Sequence, residues 1–479
     1  MNRIDQHMPN SPILVSFYGD DFTGTTAIAE TLMQTGLPTV IFTKPPTPSY
    51  LRENFPGVRA VGISGIARTL SADCAKQVLG PIFHQMKRYR SPLYVYKICS
   101  TFDSSEFTGN IGKAIELGMD VFKPDVVPVL PAAPRLKRFT VFGNHFAAMG
   151  DGTVYRLDQH PSISNHPVTP MKDADLRRHM ARQTHLKSGL IDILDIEAGA
   201  EKINARINDH IAAGESILFF DCLSEETLNT VCHTVFQRFK GGHPMFWVGS
   251  QELGYGLGNA LIREKLFAND TGSDPDTAKK TDKGPILVLS GSCAIVNAGQ
   301  IQWAEVNGFT AIEVRVQELL DAEKKGGETA TILATAGQAL SDGRSVIIHT
   351  AVGPEDRRIR QMKEMVDRMA LSEATANQNL GTELGEIARQ IVGSSSAKRL
   401  VAAGGDTSGR IQEVLQIQAI QVATPIGIGA PLCYVYSNLA EINGLEVAFK
   451  GGQVGSENYF DLIRRAKTAP FEAVALGEI

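Results

Sequence analysis

The feature that most constrains this chain is a regular alternation of short β-rich apolar runs with amphipathic segments, joined by glycine- or serine-containing turns. This alternation is typical of α/β units with parallel strands, because each helix returns the chain across the sheet. The fold class that follows is α/β, with two α/β domains and mainly parallel sheets. We also expect an active site in the cleft between the two domains. We expect buried strands in SPILVSFYG, PTVIFT, VRAVGIS, PLYVYKI, DVVPVL, PILVLSGS, TAIEVRV, SVIIHTA and RLVAAGG.

The length of 479 residues is too great for one compact core and indicates two or three domains. Residues 268–285 mix small, polar and charged side chains without apolar periodicity, as a linker does. We therefore predict an N-terminal domain over residues 1–270, a linker over 271–285 and a C-terminal domain over 286–479. The strand-turn-helix pattern of residues 246–266 is assigned to the N-terminal domain.

Composition excludes several classes of protein. A net charge of -5 gives no basic surface for a nucleic-acid backbone. The six cysteines are scattered without Cys-x-x-Cys spacing, which predicts neither a zinc site nor a disulfide framework and suits a reducing cytoplasm. The N-terminal residues lack a signal-peptide pattern, and no window has the apolar length of a membrane span. We expect a soluble cytoplasmic protein that binds neither nucleic acid nor membrane, and a homodimer, as is usual among soluble enzymes.

Two adjacent acids, Asp20 and Asp21, follow the first predicted strand in FYGDDFTGTTAIAETL. The carboxyl ends of strands in open α/β sheets are where ligands bind. The start of a helix accounts for one acid, because its free backbone amides need a hydrogen-bond acceptor as a cap. Such a cap stabilises the helix by about 0.5–2 kcal/mol. The cap here is a carboxylate or one of the threonines Thr23, Thr25 and Thr26. The second acid exceeds what a cap needs. A polyol ligand uses both, because carboxylates accept hydrogen bonds from hydroxyls and one can take the proton of the reacting hydroxyl.

A second polar cluster follows the strand in YVYKICSTFDSSEFTGNIGKAIELG. One cation surrounded by hydroxyl donors suits an anionic, hydroxylated small molecule. The alternative is a serine- and threonine-rich loop that turns through its own side-chain hydrogen bonds. The cluster comprises Lys97, Ser100, Thr101, Asp103 and Ser104.

Two further strand ends carry small-residue loops, in ILVLSGSCAIVNAGQI and RLVAAGGDTSGRIQEVLQI. Gly404 and Gly405 allow the backbone to approach a phosphate, and Thr407 or Ser408 can bond it or cap the helix. Together with Ser290, Gly291 and Ser292, and with the turn in KGGQVGSENYF, they predict a crevice for a nucleotide. Glycine turns also join strands to helices in many proteins, which is the alternative. The P-loop and dinucleotide fingerprints are absent from the sequence.

The ordered series DDFTG, YKICSTFDSS, GNIG, HPVTPM, VLSGSC, AAGGDTSG and KGGQVG resembles the four-carbon acid sugar kinase family over nearly the whole chain. The resemblance implies an N-terminal substrate domain, a C-terminal nucleotide domain and transfer of phosphate from ATP, with Mg²⁺, to the terminal hydroxyl of a sugar acid. The form CSTFDSS, in place of Asp-Ser-Thr-Leu-Arg-Gly, is similar to the 3-oxo-tetronate kinase branch, which produces 3-oxo-tetronate 4-phosphate.

The resemblance also implies roles for individual residues. The candidates for the catalytic base are Asp20, Asp21 and Asp406. The sugar acid is expected to contact Asp20, Asp21, Thr23, Lys97, Ser100, Thr101 and Asp103. ATP is expected to contact Ser290, Gly291, Ser292, Gly404, Gly405, Asp406, Thr407 and Gly452. No magnesium ligand is assigned.

The segment from Pro131 to Met171 departs from that branch, because it reads Lys137-Arg138-Phe139-Thr140 where members usually carry Gly-Arg-Thr. D-Threonate, D-erythronate and the branched acid 3-oxo-isoapionate therefore stay open as substrates. An NAD-dependent sugar-acid oxidoreductase is the rival from another enzyme class, and the missing dinucleotide fingerprint counts against it. A non-catalytic sugar-acid binding protein leaves the glycine loops of the C-terminal domain unexplained.

Overall fold

The computed structural model describes residues 13–149, 152–166, 168–242, 244–267, 284–368, 372–427 and 429–467. The chain divides into two compact units, Met1–Asp270 and Thr271–Ile479. Most of the predicted linker, residues 271–283, lies outside the described residues.

The first unit contains strands and helices in alternation. The strands are β1 (Val15–Gly19), β2 (Thr39–Phe42), β3 (Ala60–Ser64), β4 (Leu93–Lys97), β5 (Val127–Leu130), β6 (Arg138–Val141), β7 (Asn144–Ala148), β8 (Val154–Arg156), β9 (Ser188–Ile191), β10 (Ile217–Phe220) and β11 (Met245–Gly249). The helices are α1 (Phe22–Gln34), α2 (Pro48–Asn54), α3 (Ala72–Lys87), α4 (Ile111–Phe122), α5 (Leu176–Met180), α6 (Ile193–Glu197), α7 (Ala200–Ala212), α8 (Glu225–Phe239) and α9 (Glu252–Arg263). Short 3-10 helices span Ala67–Thr69, Pro134–Leu136 and Leu157–Gln159.

The main sheet of the first unit has the strand order β2-β3-β1-β4-β11-β5-β10-β9, and every pair is parallel. Its central strands β1, β4 and β11 are buried along their whole length, as expected for parallel strands covered on both faces. Gly19 pairs with Ser64 on one side and with Lys97 on the other. The residues that follow β1, β3 and β4 therefore lie at one edge of the sheet.

A separate three-stranded antiparallel sheet, with the order β6-β7-β8, lies within the segment from Pro131 to Met171. Its first hairpin turns through Phe142 and Gly143, whose φ angles of 49° and 74° suit a tight two-residue turn. Reciprocal backbone hydrogen bonds of 3.1 and 2.9 Å join Thr140 to Cys222. This sheet was not predicted from the sequence.

The second unit has a sheet of its own. Its strands are β12 (Leu287–Ser290), β13 (Thr310–Glu313), β14 (Val346–His349), β15 (Arg399–Ala403), β16 (Ile417–Thr424), β17 (Leu432–Ser437) and β18 (Glu446–Lys450). Its helices are α10 (Ile295–Val306), α11 (Val316–Leu319), α12 (Lys325–Ser341), α13 (Arg357–Arg368), α14 (Glu373–Ser394), α15 (Gly405–Val414) and α16 (Tyr459–Arg465). No helix of the described part of the chain is long and apolar enough to cross a membrane.

The strand order of the second unit is β13-β14-β12-β15-β18-β17-β16. The pairs from β13 to β18 are parallel, whereas β17 runs antiparallel to both of its neighbours. The prediction of α/β folds with mainly parallel sheets is confirmed, and the antiparallel strands β16 and β17 were not predicted.

A buried ion pair joins β15 to β18, the two strands that lead into glycine-rich loops. Arg399 Nε lies 2.6 Å from Glu446 Oε2, and the two residues face each other in the sheet register. Their side chains are 1% and 4% exposed. The guanidinium also donates to the backbone carbonyls of Ile463 and Arg464. The pair therefore fixes the alignment of these two strands.

Replacing Glu446 with Gln should lower the free energy of unfolding by about 3 kcal/mol, because it leaves the buried Arg399 without its counter-charge. The matched control is Glu413→Gln, which removes the partner of Arg410 in an exposed pair on α15 and should cost less than about 1 kcal/mol. Urea unfolding followed by circular dichroism measures both. Equal costs would show that the buried pair contributes no more than a surface pair.

Candidate active site

The two acids that follow β1 share one guanidinium. Arg68 Nη2 lies 2.7 Å from Asp20 Oδ1 and 2.9 Å from Asp21 Oδ1. Arg68 Nε and Nη1 donate to the second oxygens of Asp20 and Asp21, each at 3.1 Å. Arg68 lies in the short turn after β3, and its backbone amide donates to the carbonyl oxygen of Asp20 at 3.0 Å. Arg68 was not among the residues predicted for the site, although its place after a strand of the same sheet is visible in GISGIARTL.

Asp21 is also the N-cap of α1, since its Oδ1 accepts a hydrogen bond from the amide of Gly24 at 3.0 Å. Of the two caps that the sequence left open, a carboxylate and a threonine, the structure has the carboxylate. The threonines instead brace the turn: Thr23 donates to Asp21 Oδ2 at 2.9 Å, and Thr25 donates to the backbone carbonyl of Asp21 at 2.5 Å. One carboxylate thus satisfies both the helix start and the guanidinium of Arg68.

Lys97, the last residue of β4, brings a second cation to Asp21. Its Nζ lies 3.7 Å from Asp21 Oδ1, and its side chain is 4% exposed. A Cβ atom on Gly24 would lie 1.8 Å from Lys97 Nζ. A side chain at this position would have to displace the ammonium group of Lys97 and the capping Oδ1 of Asp21, which would lie 2.2 Å from the same Cβ.

The two carboxyl groups have different acidities. Burial raises the pKa of Asp20 above its ordinary value, against the opposing charges of Arg68 and Lys97. Burial acts in the same direction on Asp21, but Lys97 and Arg68 outweigh it and lower the pKa of this carboxyl. The Asp21 side chain is 26% exposed and that of Asp20 only 4%. Asp21 is therefore the charged carboxylate that solvent can reach.

The predicted polar cluster after β4 divides into two hydrogen-bonded groups. In one, Cys99 Sγ lies 2.9 Å from Thr101 Oγ1, which donates to Asp103 Oδ1 at 2.6 Å. Burial raises the pKa of the Cys99 thiol and Asp103 adds to the rise, so the thiol is neutral. In the other, Arg138 of β6 donates to the hydroxyl of the buried Ser100. Arg138 is another residue that the sequence analysis did not single out.

Ser104 takes no part in either group. Its hydroxyl accepts a hydrogen bond from Gln183 at 2.9 Å and lies 3.1 Å from His179 Nε2. Burial lowers the pKa of His179 to about 4, so this imidazole is neutral at physiological pH. These contacts attach the loop after β4 to α5 and to the segment that follows it.

Replacing Arg68 with Gln should destabilise the protein by about 3–5 kcal/mol, because two adjacent carboxylates then lose their shared cation. Loss of the cation raises both carboxyl pKa values in the folded state only. The folded variant therefore takes up protons on acidification, and its deficit should be larger at about pH 7.5 than at about pH 5.

Chemical denaturation at the two pH values checks this result, with Arg52→Gln, an exposed arginine of α2, as the control. A deficit that does not change with pH would contradict the assignment of Arg68 as the counter-charge of both acids.

In the second unit, three loops meet at positions where only glycine fits. A Cβ atom on Gly452 would lie 2.1 Å from Ser292 Oγ, and one on Gly291 would lie 2.1 Å from Thr407 Oγ1. Gly404, with φ of 116°, places its Cα so that a Cβ would lie 3.4 Å from the amide nitrogen of Ser292. The structure therefore brings together the loops after β12, β15 and β18, as the sequence predicted for a nucleotide crevice.

The helix α15 begins directly after Gly404, and no side chain of the described residues caps it. The position where a Cβ of Gly405 would lie has open space, with no described atom within 4 Å. Amides of such a helix start can bind an anion. Asp406 lies in the first turn, and its side chain is outside the described part of the structure.

Beneath these loops a buried polar chain runs through Asn297 of α10. Asn297 Nδ2 donates to Ser290 Oγ at 2.7 Å, and Lys450 Nζ donates to Asn297 Oδ1 at 3.2 Å. Burial lowers the pKa of Lys450 to about 7. The hydroxyl of Ser290 therefore forms its hydrogen bond inside the unit, with Asn297. Asn297 and Lys450 were not predicted as site residues. Lys450 directly precedes the glycines of KGGQVG, which is the signal that could have found it.

One turn further along α10, Gln300 fastens the KGGQVG loop. Its side-chain nitrogen lies 3.0 Å from each of the carbonyl oxygens of Val454, Gly455 and Ser456. Gln300 is completely buried, as is Asn297. A single face of α10 therefore holds both the strand end of β12 and the loop after β18.

Replacing Gly452 with Ala should raise the KM for ATP by about tenfold or more, because the added methyl group collides with Ser292 and displaces one loop from the other. Gly451→Ala is the matched control, since its Cβ would meet only Val454 at an ordinary 3.5 Å. Initial-rate kinetics with varied ATP measure both variants. An unchanged KM for ATP in Gly452→Ala would show that these loops do not take part in nucleotide binding.

Comparison with known proteins gives two family matches. Residues 15–257 match the model described as a sugar-binding N-terminal domain, and residues 287–460 match the model of a nucleotide-binding C-terminal domain. The chain is similar to a 3-oxo-isoapionate kinase of Paraburkholderia graminis, with 38% identity over 457 residues and 95% of each chain covered. It is also similar to a 3-oxo-tetronate kinase of Pseudomonas savastanoi pv. phaseolicola, with 30% identity and coverage of 94% and 96%.

Two solved structures share the fold. A Salmonella typhimurium LT2 protein superposes with a TM-score of 0.75 at 24% identity, covering 94% of this chain and 98% of its own. A Haemophilus influenzae protein superposes with a TM-score of 0.70 at 23% identity, covering 94% and 99%.

Proposed function

The chain belongs to the four-carbon acid sugar kinase family and is a kinase of sugar acids, and from this premise we propose that ATP is its phosphoryl donor and a 3-oxo sugar acid its acceptor. The observation that carries the proposal is the set of charged groups at the carboxyl ends of β1, β3 and β4. There, Asp21 is held between Arg68 and Lys97 and accepts a hydrogen bond from the hydroxyl of Thr23. Such a site suits an acceptor with several hydroxyls and a negative charge.

Asp21 is proposed to orient the hydroxyl that attacks the γ-phosphorus. Arg68 binds both oxygens of each acid, but the side chain of Asp21 is 26% exposed and that of Asp20 only 4%, so Asp21 is the acid that a substrate hydroxyl can reach. A lowered pKa makes Asp21 a weak base but a permanent hydrogen-bond acceptor. Phosphoryl transfer depends more on positioning and charge neutralisation than on early proton removal, so an orienting carboxylate is sufficient on the substrate side.

The loops of the second unit are proposed to hold ATP. The start of α15, which no side chain of the described residues caps, offers backbone amides to phosphate oxygens, and Gly405 leaves open space beside its first turn. Lys450 places a buried amino group under the same loops. Mg²⁺ is proposed to arrive with ATP, where it neutralises charge on the phosphates during transfer.

Among the possible acceptors, 3-oxo-isoapionate is favoured over the 3-oxo-tetronate of the sequence analysis. The 3-oxo-isoapionate kinase of Paraburkholderia graminis is 38% identical to this chain, compared with 30% for the 3-oxo-tetronate kinase of Pseudomonas savastanoi. The segment from Pro131 to Met171, which departs from the 3-oxo-tetronate branch, also contributes Arg138 to the contacts of Ser100. D-Threonate and D-erythronate are the other acceptors to be tested.

The purified protein should release ADP from Mg-ATP with 3-oxo-isoapionate, at a higher kcat/KM than with 3-oxo-tetronate, D-threonate or D-erythronate. A coupled ADP assay measures this, and NADH formation with NAD and the same acids tests the rival oxidoreductase. ADP release with none of the acids, or NADH formation, would overturn the proposal. Stabilisation by an acid without turnover would favour a binding protein.

Single Asn variants of Asp20, Asp21 and Asp406 should separate their roles. A base should lose kcat with KM nearly kept, whereas an orienting residue should lose both. We expect Asp21→Asn to show both losses, by about 100-fold or more in kcat/KM. Asp120→Asn, in which the replaced side chain is 82% exposed, is the matched control. Activity that survives in Asp21→Asn would remove this residue from the mechanism.

A further inference from the structure

We propose that Arg138 binds the carboxylate of the sugar acid and thereby fixes which end of the acceptor faces the phosphoryl donor, an inference that rests on the proposed function. Arg138 is the first residue of β6 in the small antiparallel sheet. It was not among the residues expected at the site.

The other two cations of the site already have carboxylate partners. Arg68 makes four hydrogen bonds to the carboxylates of Asp20 and Asp21. Lys97 approaches Asp21 at 3.7 Å. Within the described residues, no carboxylate lies within ion-pair distance of Arg138, whose guanidinium donates to the hydroxyl of Ser100. Arg138 is therefore the cation of this cluster that an anionic ligand can neutralise.

Two histidines near Arg138, His145 and His160, are neutral. His145 Nε2 lies 2.8 Å from the carbonyl oxygen of Ser100, so this nitrogen carries the proton and donates it. His145 Nδ1, at 2.8 Å from Thr140 Oγ1, then accepts the hydrogen bond of that hydroxyl. Burial, with the positive charge of Arg138, lowers the pKa of His145 to about 4. Burial and Arg138 also lower the pKa of His160. The imidazoles of His145 and His160 therefore supply no negative charge to neutralise Arg138.

Arg138 is also held in place from both sides. His145 binds the carbonyl oxygen of Ser100 and Arg138 binds its hydroxyl, so one residue at the end of β4 is fixed by two side chains of the antiparallel sheet. The backbone of Arg138 forms two hydrogen bonds with Ala133, of 2.9 and 3.1 Å. A planar guanidinium positioned in this way matches the geometry of a carboxylate.

The placement defines an orientation for the acceptor. Ser100 follows Lys97 by three residues at the end of β4, and Lys97 approaches Asp21. With its carboxylate at Arg138 and Ser100, the acid directs its other end toward Lys97 and Asp21, where the attacking hydroxyl is proposed to lie. The same contact selects against neutral sugars of equal size, because they leave Arg138 without a counter-charge.

The test compares the acid that the native protein phosphorylates with its neutral carboxamide, in the native protein and in Arg138→Gln. The variant should lose about 10- to 150-fold in kcat/KM for the acid, mainly through KM, and less than about threefold for the carboxamide. Arg138→Lys should recover part of the loss for the acid, since the charge returns without the planar geometry. Arg156→Gln, on β8 of the same sheet and paired with Asp158, is the control and should change neither value.

Equal losses for the acid and the carboxamide would overturn the inference, because they would mark Arg138 as a structural residue. Isothermal titration calorimetry of the acid and the carboxamide gives the same comparison without turnover. If the native protein binds the acid in preference to the carboxamide but releases no ADP, and Arg138→Gln abolishes this preference, the kinase proposal is rejected and the role of Arg138 in binding the carboxylate is supported. If Arg138→Gln binds the acid as well as the native protein does, only the role of Arg138 in binding the carboxylate is rejected.

Discussion

The salt bridges from Arg68 to Asp20 and Asp21 are the interaction on which the substrate side of this protein depends. Two neighbouring carboxylates repel each other, and one of them is almost completely buried. The parallel register of β1 with β3 and β4 brings the guanidinium of Arg68 and the ammonium group of Lys97 to the same sheet edge. Asp21 can therefore remain charged beside Asp20, and it can also cap the helix that follows.

The two units prepare their sites by different physical means. The first unit uses charged side chains, whose attractions are strong because they are partly shielded from water. The second unit uses backbone, since Gly291, Gly404 and Gly452 bring three loops closer than any side chain would permit. These are the different requirements of a hydroxylated acid, which needs directed acceptors and cations, and of phosphate groups, which backbone amides bind well.

Buried polar side chains fix both sites from beneath. His145 holds the carbonyl oxygen of Ser100, and Asn297 holds the hydroxyl of Ser290. Arg399 and Glu446 align the two strands that carry the loops after β15 and β18. Because each such group is costly to leave unpaired, each contact restricts the loop above it to one arrangement. The residues expected to bind ligands are thus held in position by buried polar side chains that need not contact a ligand themselves.

The sequence by itself determined the α/β class, the strands from β1 to β5 and the loops that carry the acids and glycines, since a buried run and the turn after it are written in adjacent residues. Only the tertiary structure decided the partners of those loops. Arg68 is 48 residues from Asp20, Arg138 is 38 from Ser100, and Lys450 is 153 from Asn297. Their meeting depends on strand order and on an antiparallel sheet that local periodicity does not encode. For that reason the acids and Lys97 could be found in the sequence, whereas the pairing of Arg68 with both acids could not.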